Sequence, residues 1–420
     1  MAENDDELEE LGISTSLTRR QLVRRGLGGF LVAYAGALPK VAAAGVPKYV
    51  HKHYKNTLKI IQWSHFVPAY DVWFDKTYTK NWGAKHDTDV QVDHIALAQL
   101  PARAQAEVAA QSGHDIFGHL SPQAGLEDQV INHKEIIQEV TRKVGKVSQV
   151  GFKSCYNPKT RKWHGFPENY VPDPIHFRKD LWNQVGIKPS TWDDVRRAAP
   201  KLKALGHPVG LGMSNELDSN MLLIALMQCF GAFIQNAQAR PAINSKHTIE
   251  ALKMMRDIYK RGMTNEVFAW TAASNNQGYL SGRLSLAVNA MTIWKFSKQK
   301  TLAKRFIADL EMNYQGAFKN SKFYNFPAFR GAVHDYARQL AADPHKGKYN
   351  VLDLIARKYT VNLGYPGFSN AAVDEIFNTW LVPQMFAQVA QGKMTPADAA
   401  SAALHEFKPI FAKWRGRGKI

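Results

Sequence analysis

The sequence predicts an α/β protein built in two lobes, and three observations carry that reading. Short apolar runs alternate with amphipathic helical ones from Leu58 onward, and a second block of the same kind begins near residue 175. The chain has 420 residues, 45% of them hydrophobic and 21% charged, which excludes disorder and suffices for a core in each lobe.

In the first block, "LKIIQW" (58–63) is a short apolar run suited to a strand buried on both faces, and "DVQVDHI" (89–95) alternates as a second strand. Between them Tyr70, Trp73, Phe74 and Tyr78 fall at helical spacing. Leu100, Ala104 and Val108 then recur every four residues, with Pro101 in the first turn and Ser112-Gly113 as the stop. "HDIFGH" (114–119) is a third strand. Strands separated by helices imply a parallel sheet with right-handed crossovers. Ligands bind at the carboxyl ends of such strands, here Ser64 to Pro68 and Gly118 to His119.

In the second block Thr191 is placed to cap a helix, with Asp194 completing the capping box, Val195, Ala199 and Leu202 as the apolar stripe and Gly206 as the stop. "NMLLIALMQCFGAF" (220–233) is apolar on most faces and predicts a buried helix. "TIEALKMMRDIYKRG" (248–262) predicts an amphipathic helix and "LSLAVNA" (284–290) a buried strand. The remainder is helical: "KTLAKRFIADL" (300–310), then Ser369 to about Gln391 with Ser369 as N-cap and Pro383 as a kink, then a last helix capped by Thr395 to Asp398.

The formal net charge is +18, and residues 1–44, with six acids against five bases, contribute none of it; the body therefore carries +19. Its bases are scattered and match no nucleic-acid motif, so a solvated basic surface is expected and nucleic-acid binding is not. Cys155 and Cys229, in unrelated contexts, indicate neither a disulfide framework nor a sulfur metal site, although a single bridge between them stays open.

Arg19-Arg20 precede an apolar, Gly/Ala-rich run from Gly26 to Leu38 and then Ala42-Ala43-Ala44. This resembles a twin-arginine export signal occupying residues 1–44, followed by a flexible start of the mature chain over 45–57. The run falls short of the roughly 20 residues that span a bilayer. The mature protein is therefore expected outside the cytoplasm, in the periplasm.

Catalytic and cofactor motifs do not emerge. Ser64 and His65 are neighbours leaving a strand, where successive side chains face opposite ways, which argues against a nucleophile and its base. Gly367-Phe368-Ser369-Asn370-Ala371 lacks the last glycine of a nucleophile elbow. The 15 histidines show no metal spacing, and no phosphate-binding glycine loop occurs, so neither a metal nor a cofactor is expected. Loops rich in aromatic and amide residues suit noncovalent capture of a polar solute.

From about Leu58 to Trp414 the chain resembles the periplasmic solute-binding proteins of ABC importers, in the family 1 branch that includes maltose-binding proteins. The motifs are "KWHGFPENYVPDPIHFRKDLWNQVGIKPSTWDDVRRAAPKLKALG", "GYLSGRLSLAVNA" and "GKMTPADAASAALHEFKPI", in that order. The resemblance implies a type II periplasmic-binding-protein fold, each lobe a mainly parallel sheet flanked by helices. The first lobe would span 58–167 and about 291–330, the second 168–290 and about 331–420. It implies a monomeric, non-catalytic receptor that captures a sugar or polyol between the lobes, delivers it to an ABC permease, and meets the twin-arginine translocase on export.

Carried over by position, the ligand contacts would be Trp63, Ser64, His65, Phe66 and Tyr70, then His119, Glu168 and Asn169, with Asn275, Asn276, Asn289 and Tyr365 completing the set. The family has several tens of residues between "LSLAVNA" and "IWKFSKQKTLAKRF", whereas here the two nearly abut. The first sheet is thus expected to be incomplete or to close differently, with Trp294 in the strand before the next helix. Two rival readings stay open: an exported hydrolase or cofactor enzyme, and a receptor for an anionic solute such as a sugar phosphate.

Overall fold

The run LKIIQW is buried on both faces in the computed structural model of the chain, which describes residues 53–121, 123–171, 177–271, 274, 287–342 and 350–420. It lies in β1 (Asn56–Trp63), where Leu58 and Ile60 enter one core while Ile61 and Trp63 enter another on the opposite face. Residues 1–44, where an export signal is expected, and residues 275 and 276 lie outside the described residues.

After β1 come α1 (Pro68–Trp73), a π-helical turn, α2 (Thr79–Lys85), β2 (Thr88–Ile95), α3 (Leu100–Ala110) and β3 (Ile116–His119). Next are α4 (Lys134–Val144), α5 (Gln149–Cys155), a small hairpin of β4 (Tyr156–Asn157) and β5 (Lys162–Trp163), and β6 (Phe166–Val171). The second lobe then supplies α6 (Lys179–Gln184), α7 (Trp192–Ala204), α8 (Leu217–Cys229) and α9 (Lys246–Gly262). The chain returns through β7 (Ala287–Ile293), α10 (Lys300–Met312), α11 (Gln315–Asn320), β8 (Phe326–Pro327), α12 (Tyr336–Ala341) and α13 (Asn350–Lys358). It ends with α14 (Ala371–Asn378), α15 (Leu381–Ala390) and α16 (Pro396–Gly416).

The six-stranded sheet has the order β2-β1-β3-β7-β6-β8. β1 pairs parallel with β2 and β3, whereas β7 is antiparallel to β3 and β6, and β6 to β8. The sheet is thus mixed rather than mainly parallel, because β7 re-enters from the second lobe instead of through a strand-helix-strand crossover. β7 also answers the shortened segment after Asn289. It runs on to Ile293 and bridges β3 to β6, so one strand both returns the chain and completes the sheet. Trp294 lies just past its end, paired with Val130.

The second lobe departs further from expectation. Between β6 and β7 the described residues contain no strand; α8, apolar on most faces as its sequence requires, sits at the centre of a helical core with α7, α9 and the last three helices. Core membership also moves the boundary. Tyr336, Leu340 and Ala356 pack with the first lobe, so the chain crosses finally after α13 rather than near residue 331, and β6 carries the first sheet on to Val171.

Local signals act largely as read. Thr191 and Asp194 form the capping box of α7, and Gly206 follows with a φ of 81°. Near the end, the cap of α14 is Asn370 rather than Ser369, its Oδ1 accepting the Ala372 and Val373 amides at 3.0 and 3.1 Å. The chain breaks at Trp380, in the left-handed region, rather than kinking at Pro383; that proline sits in the first turn of α15, where its missing N–H is harmless. Cys155 is buried, Cys229 is exposed, and both are free.

Gly262, the last residue of α9, lets that helix meet α7: a Cβ there would lie 2.2 Å from the Ala199 Cβ and 2.7 Å from its Cα. Gly262→Val is therefore expected to destabilise the second lobe by roughly 1–3 kcal/mol through overpacking. Urea unfolding followed by tryptophan fluorescence checks this, and an unchanged midpoint would contradict the close approach.

The interlobe cleft as candidate functional site

A cavity of about 280 Å³ opens at the carboxyl ends of β2 and β3. Its first-lobe wall includes Leu97, Leu100 and Pro101 after β2 and His119, Leu120, Ser121 and Gln123 after β3; its second-lobe wall comes from Asn215 to Leu217, Trp270, Thr271, Asp374, Phe377, Asn378 and Trp380. Leu97, Leu120, Trp270, Phe377 and Trp380 give it apolar faces, while His119, Ser121, Asn215, Glu216, Asp374 and Asn378 bring polar groups between them.

His119 ends β3 and is buried, and burial holds its imidazole down at about 3, so it is neutral. The Thr292 hydroxyl lies 3.0 Å from Nε2 and donates to the Phe117 carbonyl, so Nε2 carries the proton and donates to Thr292. Nδ1 is then a lone-pair acceptor, buried without a protein partner.

Asp374, in the first turn of α14, reaches across the cleft. Its Oδ2 accepts the Gly125 amide of the first lobe at 2.9 Å, and its Oδ1 accepts Asn378 Nδ2 at 2.8 Å. Burial raises this carboxyl to about 7 against those two hydrogen bonds. Glu216 caps α8 with both oxygens on the Asp218 and Ser219 amides, and burial raises it too. Nearby, Lys153 Nζ donates to the Pro366 carbonyl at 3.1 Å, and Ser369 N to the Lys153 carbonyl at 2.8 Å, tying the last crossing to the first lobe.

Of the residues singled out from the sequence, His119 lines this cavity. The loop after β1 forms a separate cluster. Trp63 is buried and stacks on His65, while Ser64 and Phe66 are exposed. His65 Nδ1 accepts the Val67 amide at 2.9 Å, and Nε2 donates to Asn325 Oδ1 at 3.0 Å. Burial lowers this ring to about 4, so it is neutral and both nitrogens are committed; it cannot act as base for Ser64.

Tyr70 and Glu168 meet inside the first lobe, where the Tyr70 and Tyr314 hydroxyls each donate to Glu168 Oε1 at 3.3 Å. Glu168 sits where the register of β6 against β7 shifts, and Asn169 beyond it pairs with Asn289. Burial raises Glu168 to about 7. Tyr365 is exposed against Phe233 on the second-lobe side.

Sequence reasoning missed Glu216, Trp270, Asp374 and Trp380, which only packing brings opposite His119. It also missed Glu311, a fully buried carboxyl on α10, raised well above its usual range by burial and then by Glu168 against one backbone hydrogen bond from Phe329. A signal existed: Glu311 continues the apolar stripe of Ala303, Ile307 and Leu310. No group of metal-type side chains occurs among the described residues, and none of their helices is long and apolar enough to cross a membrane.

A mixed-sheet lobe, a second core and a solute-sized cavity between them define a periplasmic-binding-protein fold. A family profile described as bacterial extracellular solute-binding protein matches residues 63–319, and the chain belongs to that family. A sugar transporter of Arthrobacter chlorophenolicus A6 with bound laminaribiose superposes with a TM-score of 0.70 at 14% identity, covering 84% of this chain and 99% of that one. An ABC transporter solute-binding protein of Agrobacterium radiobacter K84 in complex with ribitol gives 0.64 at 15%, covering 85% and 99%. A candidate binding protein of Brucella abortus (strain 2308) is 25% identical over 134 residues, a match that spans 31% of this chain and 33% of that relative's length.

Proposed function

We propose that this protein is a non-catalytic, extracytoplasmic receptor that captures a sugar or related polyol between its lobes and delivers it to the transmembrane permease of an ABC importer, after export through the twin-arginine translocase. The observation that carries the reading is the cavity at the strand ends, walled by both lobes and mixing tryptophan faces with amide, hydroxyl and carboxylate groups. Aromatic rings cover the apolar faces of a sugar while the polar groups satisfy its hydroxyls. The laminaribiose and ribitol carried by proteins of the same fold support this solute class.

The chain passes between lobes after β6, before β7 and after α13, and hinge motion at such crossings closes the cleft. Differential affinity of the closed form for solute drives that closure. The described lining holds no lysine or arginine, which disfavours an anionic solute despite the basic surface.

A thermal-shift screen of the purified protein against sugars, polyols, sugar phosphates and amino acids tests the reading. A true ligand at a hundredfold excess over its Kd adds about 2.7 kcal/mol of apparent stability. It should also make the protein more compact in small-angle scattering. Turnover of any solute, or unchanged scattering with every stabilising one, would overturn the receptor assignment.

A further inference from the structure

The only ionisable side chains besides His119 among the described lining residues of the cleft are two carboxyls, in a protein whose net charge is +18. His119, neutral and with Nε2 committed to Thr292, brings no positive charge to the wall. Asp374 and Glu216 add two carboxylates, each with lone pairs beyond those its present bonds use. No lysine or arginine stands among the described lining residues to neutralise them. Trp270, Phe377 and Trp380 supply the aromatic faces, which attract cations as well as covering sugar rings.

Resting on the receptor reading above, we infer that the solute held in this cleft carries a protonated amine on a polyhydroxylated body: an amino sugar or an amino alditol. The ammonium lies against Asp374, which both lobes already hold through Gly125 and Asn378. Bound there, it supplies the opposite charge that the two neutral donors Gly125 and Asn378 do not, so charge pairing and closure reinforce one another. The hydroxylated body lies on the tryptophan faces and exchanges hydrogen bonds with Ser121, Asn215 and Asn378 of the lining. Because the surface as a whole repels cations, selection is local to the cleft, and long-range steering does not assist it.

The experiment measures binding calorimetrically with matched pairs differing in the amine, glucosamine against glucose and glucamine against glucitol, with glucose 6-phosphate as the anionic member. The amine of each pair should bind about tenfold or more tightly, and that margin should shrink as salt screens the ion pair. Asp374→Asn should abolish the margin, and Glu216→Gln should reduce it, which keeps the test decisive if one variant fails to fold. Equal or tighter binding of the neutral or phosphorylated member, or a broader screen yielding only such ligands, overturns the inference and leaves the receptor reading standing. Failure of every solute in that screen to bind removes both.

Discussion

Trp294→Ala is expected to destabilise the protein by roughly 3–5 kcal/mol, the range for deleting a large aromatic from a core. Trp294 is fully buried and packs edge-on to Phe117 and His119, at the base of the wall His119 gives to the cleft. Its Nε1–H donates to Glu107 Oε2 at 3.1 Å. Glu107 also accepts from Arg103, from His114 Nδ1 and from the His114 amide. Those bonds, opposed by burial, hold its carboxyl at about 2, and deleting the indole strips one donor from a buried anion. Trp294→Phe keeps most of the packing and should lose only about 1–3 kcal/mol, the range for an unpaired buried polar group. Denaturant midpoints of the two variants decide the matter. Equal losses would mean that the hydrogen bond, not the packing, dominates.

Glu311→Met is expected to stabilise the protein, with a gain of roughly 1–3 kcal/mol at pH 8 and a smaller one at pH 5. The sign follows from the two buried acids. Glu311 and Glu168 both have folded pKa values above their unfolded ones, the latter at about 7. Stability from that pair is fully present below the unfolded carboxylate range and is lost as pH rises through the folded values, because only the unfolded chain can release the protons. Methionine fills similar volume without a charge to bury. It also removes the charge that Glu168 feels. Melting temperatures of both proteins from pH 5 to 8 check this: a gain that is constant with pH, or a loss, would contradict buried, reluctant ionisation at Glu311.

Much of the scaffold was legible because local chemistry commits it. The alternation in LKIIQW puts Leu58 and Ile60 on one face and Ile61 and Trp63 on the other whatever lies above them. Thr191 and Asp194 cap their helix through groups three residues apart. The parallelism of the sheet was not legible, because whether β7 enters parallel or antiparallel depends on where the chain has been since β6. Asn370 rather than Ser369 became the cap for a similar reason: Ser369 N is held by the Lys153 carbonyl of the other lobe.

Sequence alone determined the family, the alternating elements of the first lobe and the capping of α7 and α16, since each rests on residues near in the chain. Tertiary structure alone decided the cleft. His119, Trp270, Asp374 and Trp380 belong to element ends far apart in sequence, and only the docking of two cores sets them around one cavity. The same packing withdrew His65, Tyr70 and Glu168 into a hydrogen-bonded first-lobe cluster, because buried polar groups must find partners where the fold places them.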